Sequence, residues 1–135
     1  MLYLSEEWAE EALRRVETDE RIQKAAKGID VSLLTIFTEA PDHAYGFLYV
    51  HFKDGGLLEY RTGHRAEDVL QDRSPTFVVS GTYGNFLEVQ RGEISERRAL
   101  LAGKLHLTGS MFKAMKHMRA LETITGVMRE IPCET

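Results

Sequence analysis

Histidine is the side chain best suited to proton transfer or metal binding near neutral pH, and the chain has five: His43, His51, His64, His106 and His117. None stands in an H-x-x-x-H or H-E-x-x-H spacing, which would place two imidazoles on one helical face. His64, Glu67 and Asp68 lie close together, but in a charged stretch that reads as a solvated flap. His51 and His106 alternate with apolar neighbours, as on the outer face of a strand. Ser80 and Ser110 lack the G-x-S-x-G elbow that exposes a nucleophile. Gly81-Thr82-Tyr83-Gly84 is too short for a dinucleotide fingerprint. Cys133 follows Pro132 near the end of the chain and has no second cysteine to pair with. The expectation is a protein with no catalytic residue, no metal and no cofactor.

The elements that must position any site follow from periodicity and punctuation. Ser5 is expected to cap a first helix, with Glu6 and Glu7 at its positive end. Trp8, Ala12, Leu13 and Val16 mark its inward face. Thr18-Asp19-Glu20-Arg21 reads as a break and a new cap, and Gly28 as a stop. Val31–Thr38, Tyr45–Lys53 and Leu57–Gly63 are expected to form a three-strand meander, the last two joined by a tight Asp54-Gly55-Gly56 turn. His64–Pro75 reads as a single helical turn or a flap. A fourth strand, Thr76–Gly81, is followed by two short helices, over Thr82–Gly92 and Ile94–Gly103, with Leu100 and Leu101 inward. A fifth strand, Lys104–Gly109, leads to a long helix from Ser110 to about Thr125, and the chain from about 127 to 135 reads as a flexible tail. The order α-βββ-β-αα-β-α implies one α+β domain of a five-stranded mixed sheet with helices packed on one face.

The 135 residues are 43% hydrophobic, enough for one core without cross-links. Seventeen Lys and Arg against 21 Asp and Glu give a net charge of −4. That balance argues against a nucleic-acid partner and against strong adhesion to anionic membranes. No stretch approaches transmembrane length and no signal peptide is readable, so a cytoplasmic location without stable membrane insertion is expected.

On the last helix, Met111, Ala114, Met115, Met118 and Leu121 fall within an arc of about 120°. Three unbranched thioethers on one face suit a surface that adapts to varied apolar shapes. On the second strand Tyr45, Phe47 and Tyr49 point one way, and Leu48, Val50 and Phe52 the other. Both faces are therefore expected to be covered, the aromatic one by a helix, by the charged segment, or by a second copy in a homodimer. Arg91, Arg97, Arg98 and Lys104 gather around the two short helices and the fifth strand.

The second half of the chain is similar to a known family. Phe86-Leu87, Arg91-Gly92, Ala99-Leu100-Leu101, Gly103-Lys104-Leu105, Leu107, Gly109, Met111, Ala114 and Met115 resemble the recurring pattern of the sterol carrier protein type 2 domain. Ser110 stands where many members have Asp or Asn, and all three cap helices. The C-terminal Pro132-Cys133-Glu134-Thr135 is not the peroxisomal address that eukaryotic members often carry. The resemblance implies a sheet covered by helices, with an apolar tunnel that takes a fatty acid, fatty acyl-CoA, phospholipid or sterol and does no chemistry. Expected lining residues are Leu33, Leu48, Val50, Phe77, Val79, Leu105 and Leu107 from strands, and Phe86, Leu101, Met111, Met115 and Met118 from helices. Arg91 or Lys104 would meet a carboxylate or phosphate at the mouth. Two rival readings remain: an interaction module of the same fold serving as accessory subunit of a lipid-metabolising enzyme, and an acyl-chain hydrolase using Ser80 or His106.

Overall fold

The computed structural model describes residues 1–133. Helix α1 spans Glu6–Thr18, and the Ser5 hydroxyl accepts from the Trp8 N–H at 3.2 Å. Asp19 leaves helical geometry and accepts from the Arg21 N–H at 2.8 Å, so one residue ends α1 and caps α2 (Glu20–Ala26). Strand β1 (Asp30–Thr38) pairs antiparallel with β2 (Phe47–Lys53), which pairs antiparallel with β3 (Gly56–Gly63). Asp54 and Gly55 join β2 to β3 with φ of 51° and 83°, the left-handed pair that a two-residue hairpin matching the strand twist requires.

After the short α3 (Glu67–Leu70), β4 (Phe77–Thr82) runs parallel to β1 on the side away from β2. Helices α4 (Tyr83–Gln90) and α5 (Glu96–Leu101) follow, capped by Thr82 and Ser95. Strand β5 (His106–Thr108) pairs antiparallel with β4. The sheet order is β3-β2-β1-β4-β5. Gly81 gives the chain room just ahead of β5, where a Cβ would sit 2.6 Å from Leu105 Cδ2 and 3.1 Å from the Lys104 carbonyl oxygen and would force Leu105 to shift.

This topology decides what covers the aromatic face of β2. To pass from the β3 edge to the far side of β1, the chain must cross the sheet, and it does so with α3. Val69 (0% exposed) packs with Leu34, Phe47 and Tyr49, all buried. Arg73 clamps Glu59 of β3 with two bonds of 2.8 and 2.9 Å, and Arg61 reaches Asp72 at 3.0 Å and the Asp68 carbonyl at 2.9 Å. Ser32 and Thr76 exchange backbone-to-hydroxyl bonds of 2.8 and 3.1 Å. The Tyr45/Phe47/Tyr49 surface expected for a homodimer is not one open face: Phe47 and Tyr49 are buried under α3, whereas Tyr45, ahead of β2, packs against the cluster around Tyr3 and Trp8 and lies beside His64, with ring centroids 5.7 Å apart.

Two further expectations are corrected. The last helix is two helices, α6 (Met111–Lys116) and α7 (Met118–Met128), broken at His117 with φ −101° and ψ 6°. And no tail begins at 127. Val127 and Ile131 are buried, Arg21 pairs with Glu130 at 2.7 and 2.8 Å, and Arg129 Nε donates to the Val89 carbonyl at 2.8 Å. The apolar spacing Val127–Ile131 is one helical turn, and it continues the inward face past the point where the composition turns polar. Glu134 and Thr135 lie outside the described residues.

If α3 holds the outer face, Val69→Ala removes two fully buried methyls and should cost about 2 kcal/mol. The check is a lower urea midpoint with an unchanged m-value; an unchanged midpoint would mean that the crossover does not hold this face.

Candidate functional site

Alternate residues of β1 (Val31, Leu33, Thr35 and Phe37) face the helical layer and line a cavity of about 200 Å³. From Val31 to Phe37 the strand covers about 20 Å at roughly 3.3 Å per residue, so the cavity is long and narrow. Val16, Ala26 and Phe52 lie at one end, in a cluster with Ile22 and Val127. Tyr3, Trp8, Phe37 and Phe86 lie at the other, in a larger cluster. Between them α7 contributes Met118, Leu121, Ile124, Thr125 and Met128.

Of the residues expected to line a tunnel, Leu33, Leu48, Val50, Val79, Phe86, Leu105, Leu107 and Met118 border this cavity. Phe77 belongs to the same sheet face by register with Leu33, but is buried beside Gly109 rather than at the cavity wall. Leu101, Met111 and Met115 are exposed instead, at 83%, 56% and 49%. The helix α6 presses Ala114 (1% exposed) inward, because the smallest side chain permits the closest approach, and the two methionines beside it turn outward. In α5 the buried residue is Ala99 and the cavity-lining one Leu100; Leu101, a further 100° round the helix, faces solvent.

Neither proposed head-group cation lines the cavity. Lys104 Nζ bonds Glu88 at 2.7 Å, and Arg91 is exposed with Glu93 at 4.0 Å. Ser80 and His106 are cross-strand partners, but alternation puts them on the sheet face opposite Val79 and Leu107, away from the cavity. His51 bonds Asp30 at 2.7 Å at the sheet margin. Among the described residues no group of three or more His, Cys, Asp or Glu could hold a metal ion, and no helix is long and apolar enough to cross a membrane.

The model of the SCP-2 sterol transfer family matches residues 4–122. The chain belongs to that family. Among solved structures, the crystal structure of a sterol carrier protein 2 superposes with a TM-score of 0.77 at 21% identity, covering 96% of this chain and 99% of the other. The solution structure of a conserved hypothetical protein from Thermus thermophilus, described as possibly a sterol carrier protein, gives 0.77 at 21% identity, covering 99% and 92%. A stereoselective inverting sec-alkylsulfatase from a Pseudomonas species carries a similar fold over 14% of its length, with a TM-score of 0.51, 17% identity and 73% of this chain covered. No curated protein sequence matches significantly. At these identities the structures establish the fold.

Several polar groups in the wall of this SCP-2 domain escape sequence reasoning. Glu96 occupies the first turn of α5, where an acid is ordinary for a helix start. In the fold it lines the cavity and accepts from the Thr125 hydroxyl. Desolvation pushes its carboxyl up to about 7, Arg129 opposes the shift and Glu122 adds to it. Gln90 is buried and donates to the Met128 carbonyl at 2.8 Å. Trp8, buried at the wall, has an indole N–H with no hydrogen-bond partner among the described residues. Burial raises the Tyr3 hydroxyl well above its usual range, and Glu96 contributes to that shift. His117, at the break between α6 and α7, also borders the cavity.

The raised pKa of Glu96 has a stability consequence. Glu96 ordinarily titrates at 4.5 and in the fold near 7, so between those values the folded state holds the extra proton. Stability should therefore fall as pH rises from about 4.5 to 7, by at most about 3 kcal/mol because Glu96 keeps some accessible surface. Glu11 and Asp19, lowered to about 2, act below that window. Denaturation at pH 5 and pH 7.5 should show the loss in the wild type and a flatter profile in Glu96→Gln; parallel profiles would place Glu96 in solvent.

Proposed function

We propose that the protein binds one long-chain lipid in the cavity between sheet and helices and carries it without altering it. The observation that supports this most is the cavity itself. An interior of 135 residues is normally packed at the density of an organic crystal, yet here an apolar space of about 200 Å³ lies along the central strand. For comparison, a purely apolar cavity of about 150 Å³ stays dry and takes up benzene. Membership of a family described by sterol transfer supports the same reading.

The shape favours a flexible chain over fused rings. The space is extended along β1, and its α7 wall includes Met118 and Met128, unbranched side chains that shift to admit a longer tail. Each buried methylene contributes about 0.8 kcal/mol, so ten give about 8 kcal/mol, micromolar before ordering costs. Dispersed contact of this kind holds a chain firmly and discriminates weakly among tails. A fatty acid, an acyl-CoA or a phospholipid tail all satisfy the wall.

The test is titration with a fluorescent fatty acid at pH 6, with displacement by unlabelled chains. Saturable one-to-one binding is expected. Met118→Trp, which fills the cavity, should weaken binding about tenfold or more, whereas Met115→Lys on the outer surface of α6 should leave it within about twofold. Binding lost in Met115→Lys and retained in Met118→Trp would move the site out of this cavity.

A further inference from the structure

The carrier reading leaves open what sits at the polar end of the ligand, and the charges around the cavity bear on that. Among the described residues no Lys or Arg lines the cavity. Its carboxyl is Glu96, which accepts from the Thr125 hydroxyl of α7 and acts electrostatically on Tyr3 from the segment before α1, and Gln90 of α4, Thr35, Tyr60 and His117 are further polar residues of the lining. One end, with Val16, Ala26, Ile29, Val31 and Phe52, is apolar throughout. The space thus has one greasy end, and elsewhere in its wall a carboxyl with a hydroxyl bonded to it.

We propose that Glu96 is the anchor of the ligand's polar end, and that this end is an uncharged hydroxyl rather than a carboxylate. The proposal rests on the carrier reading above. A hydroxyl donates to a carboxylate and accepts from a carboxylic acid, so it is satisfied in either state of Glu96. A ligand carboxylate would lie beside a second carboxyl in a desolvated space, and one of the two must then be neutral. The cation that acts on Glu96, Arg129, offers no direct contact. Arg129 does not line the cavity, and its guanidinium is held by the Val89 carbonyl at 2.8 Å and the Ile94 carbonyl at 3.4 Å. The surface cations Arg91 and Lys104 do not line it either.

The charged and titratable groups that act on Glu96 are Arg129, just past the end of α7, Glu122 of α7 and Tyr3 of the N-terminal segment; Glu122 is itself paired with Arg97 at 3.2 Å, and His117 and Tyr60 are the other titratable residues that border the cavity. Arg129 favours the charged form, while burial and Glu122 favour the neutral one, and the balance sits near pH 7. The discrimination against a carboxylate therefore grows as pH rises through neutrality.

The experiment compares displacement of the fluorescent probe by hexadecanol, palmitate and hexadecylamine at pH 6 and pH 8, using the intact chain. In the wild type hexadecanol should outcompete palmitate by about tenfold or more at pH 8, the size of one charge-assisted hydrogen bond, and by less at pH 6. Glu96→Gln should bring the two within about threefold at both pH values, and Glu96→Leu should cut hexadecanol affinity about tenfold. Unfolding curves of both variants at pH 6 confirm that they are folded. Equal binding of hexadecanol and palmitate by the wild type at pH 8, or a preference that survives Glu96→Gln, overturns the proposal. Hexadecylamine binding more tightly than hexadecanol overturns the hydroxyl assignment. If no chain of any kind displaces the probe through the cavity, the carrier reading itself fails and the proposal with it.

Discussion

Strand β1 must bury both of its faces, and the chain closes the two in different ways. The outer face is closed by a local device, the four-residue α3 fixed to β3 by Arg61 and Arg73, with Val69 set into Leu34, Phe47 and Tyr49. The inner face is closed at a distance, by helices drawn from both ends of the chain. Those helices are anchored at two separate clusters, one around Trp8, Phe37 and Phe86 and one around Ile22, Phe52 and Val127. Firm packing at both ends and a long strand between them leave space in the middle. The cavity is thus a consequence of where the helices are held, with no need for any one residue to be missing.

Much of this order was legible in the residues. Ser5, Asp19, Ser95 and Ser110 each satisfy an amide two or three positions on, so helix starts were marked by side chains whose role is local. The five strands were legible for the same reason, as alternation fixes which residues share a face: Leu48, Val50 and Phe52 turn to the cavity together. The family likeness rested on the same local pattern in the second half of the chain.

Errors arose where a choice depended on non-local packing. The stripe Met111–Met115–Met118 presumes one straight helix. The break at His117 separates its members, and Ala114 wins the inward position because it allows α6 to come close. Whether Tyr49 faces a partner or its own crossover is settled by strand order, which alternation does not report. Glu96 was invisible for a related reason. As the first residue after a serine cap it has a sufficient local explanation, and only the approach of α7, bringing Thr125 against it, gives it a second role.

That second role bears on the balance between stability and function. An ionisable group beside an apolar space lowers stability relative to a well-packed hydrocarbon. Filling the space and replacing Glu96 by an apolar residue would both be expected to make a more stable molecule. The two costly features lie at the same place, the void along β1 and the carboxyl at its wall. On the proposed reading an amphiphile would relieve both: its tail restores the missing contacts, and its polar end adds a hydrogen bond to the one Glu96 already accepts from Thr125. A chain without a polar end would correct only the first defect, and a small polar solute only the second. On the proposed reading, an apolar tail with one neutral hydrogen-bonding end would correct both.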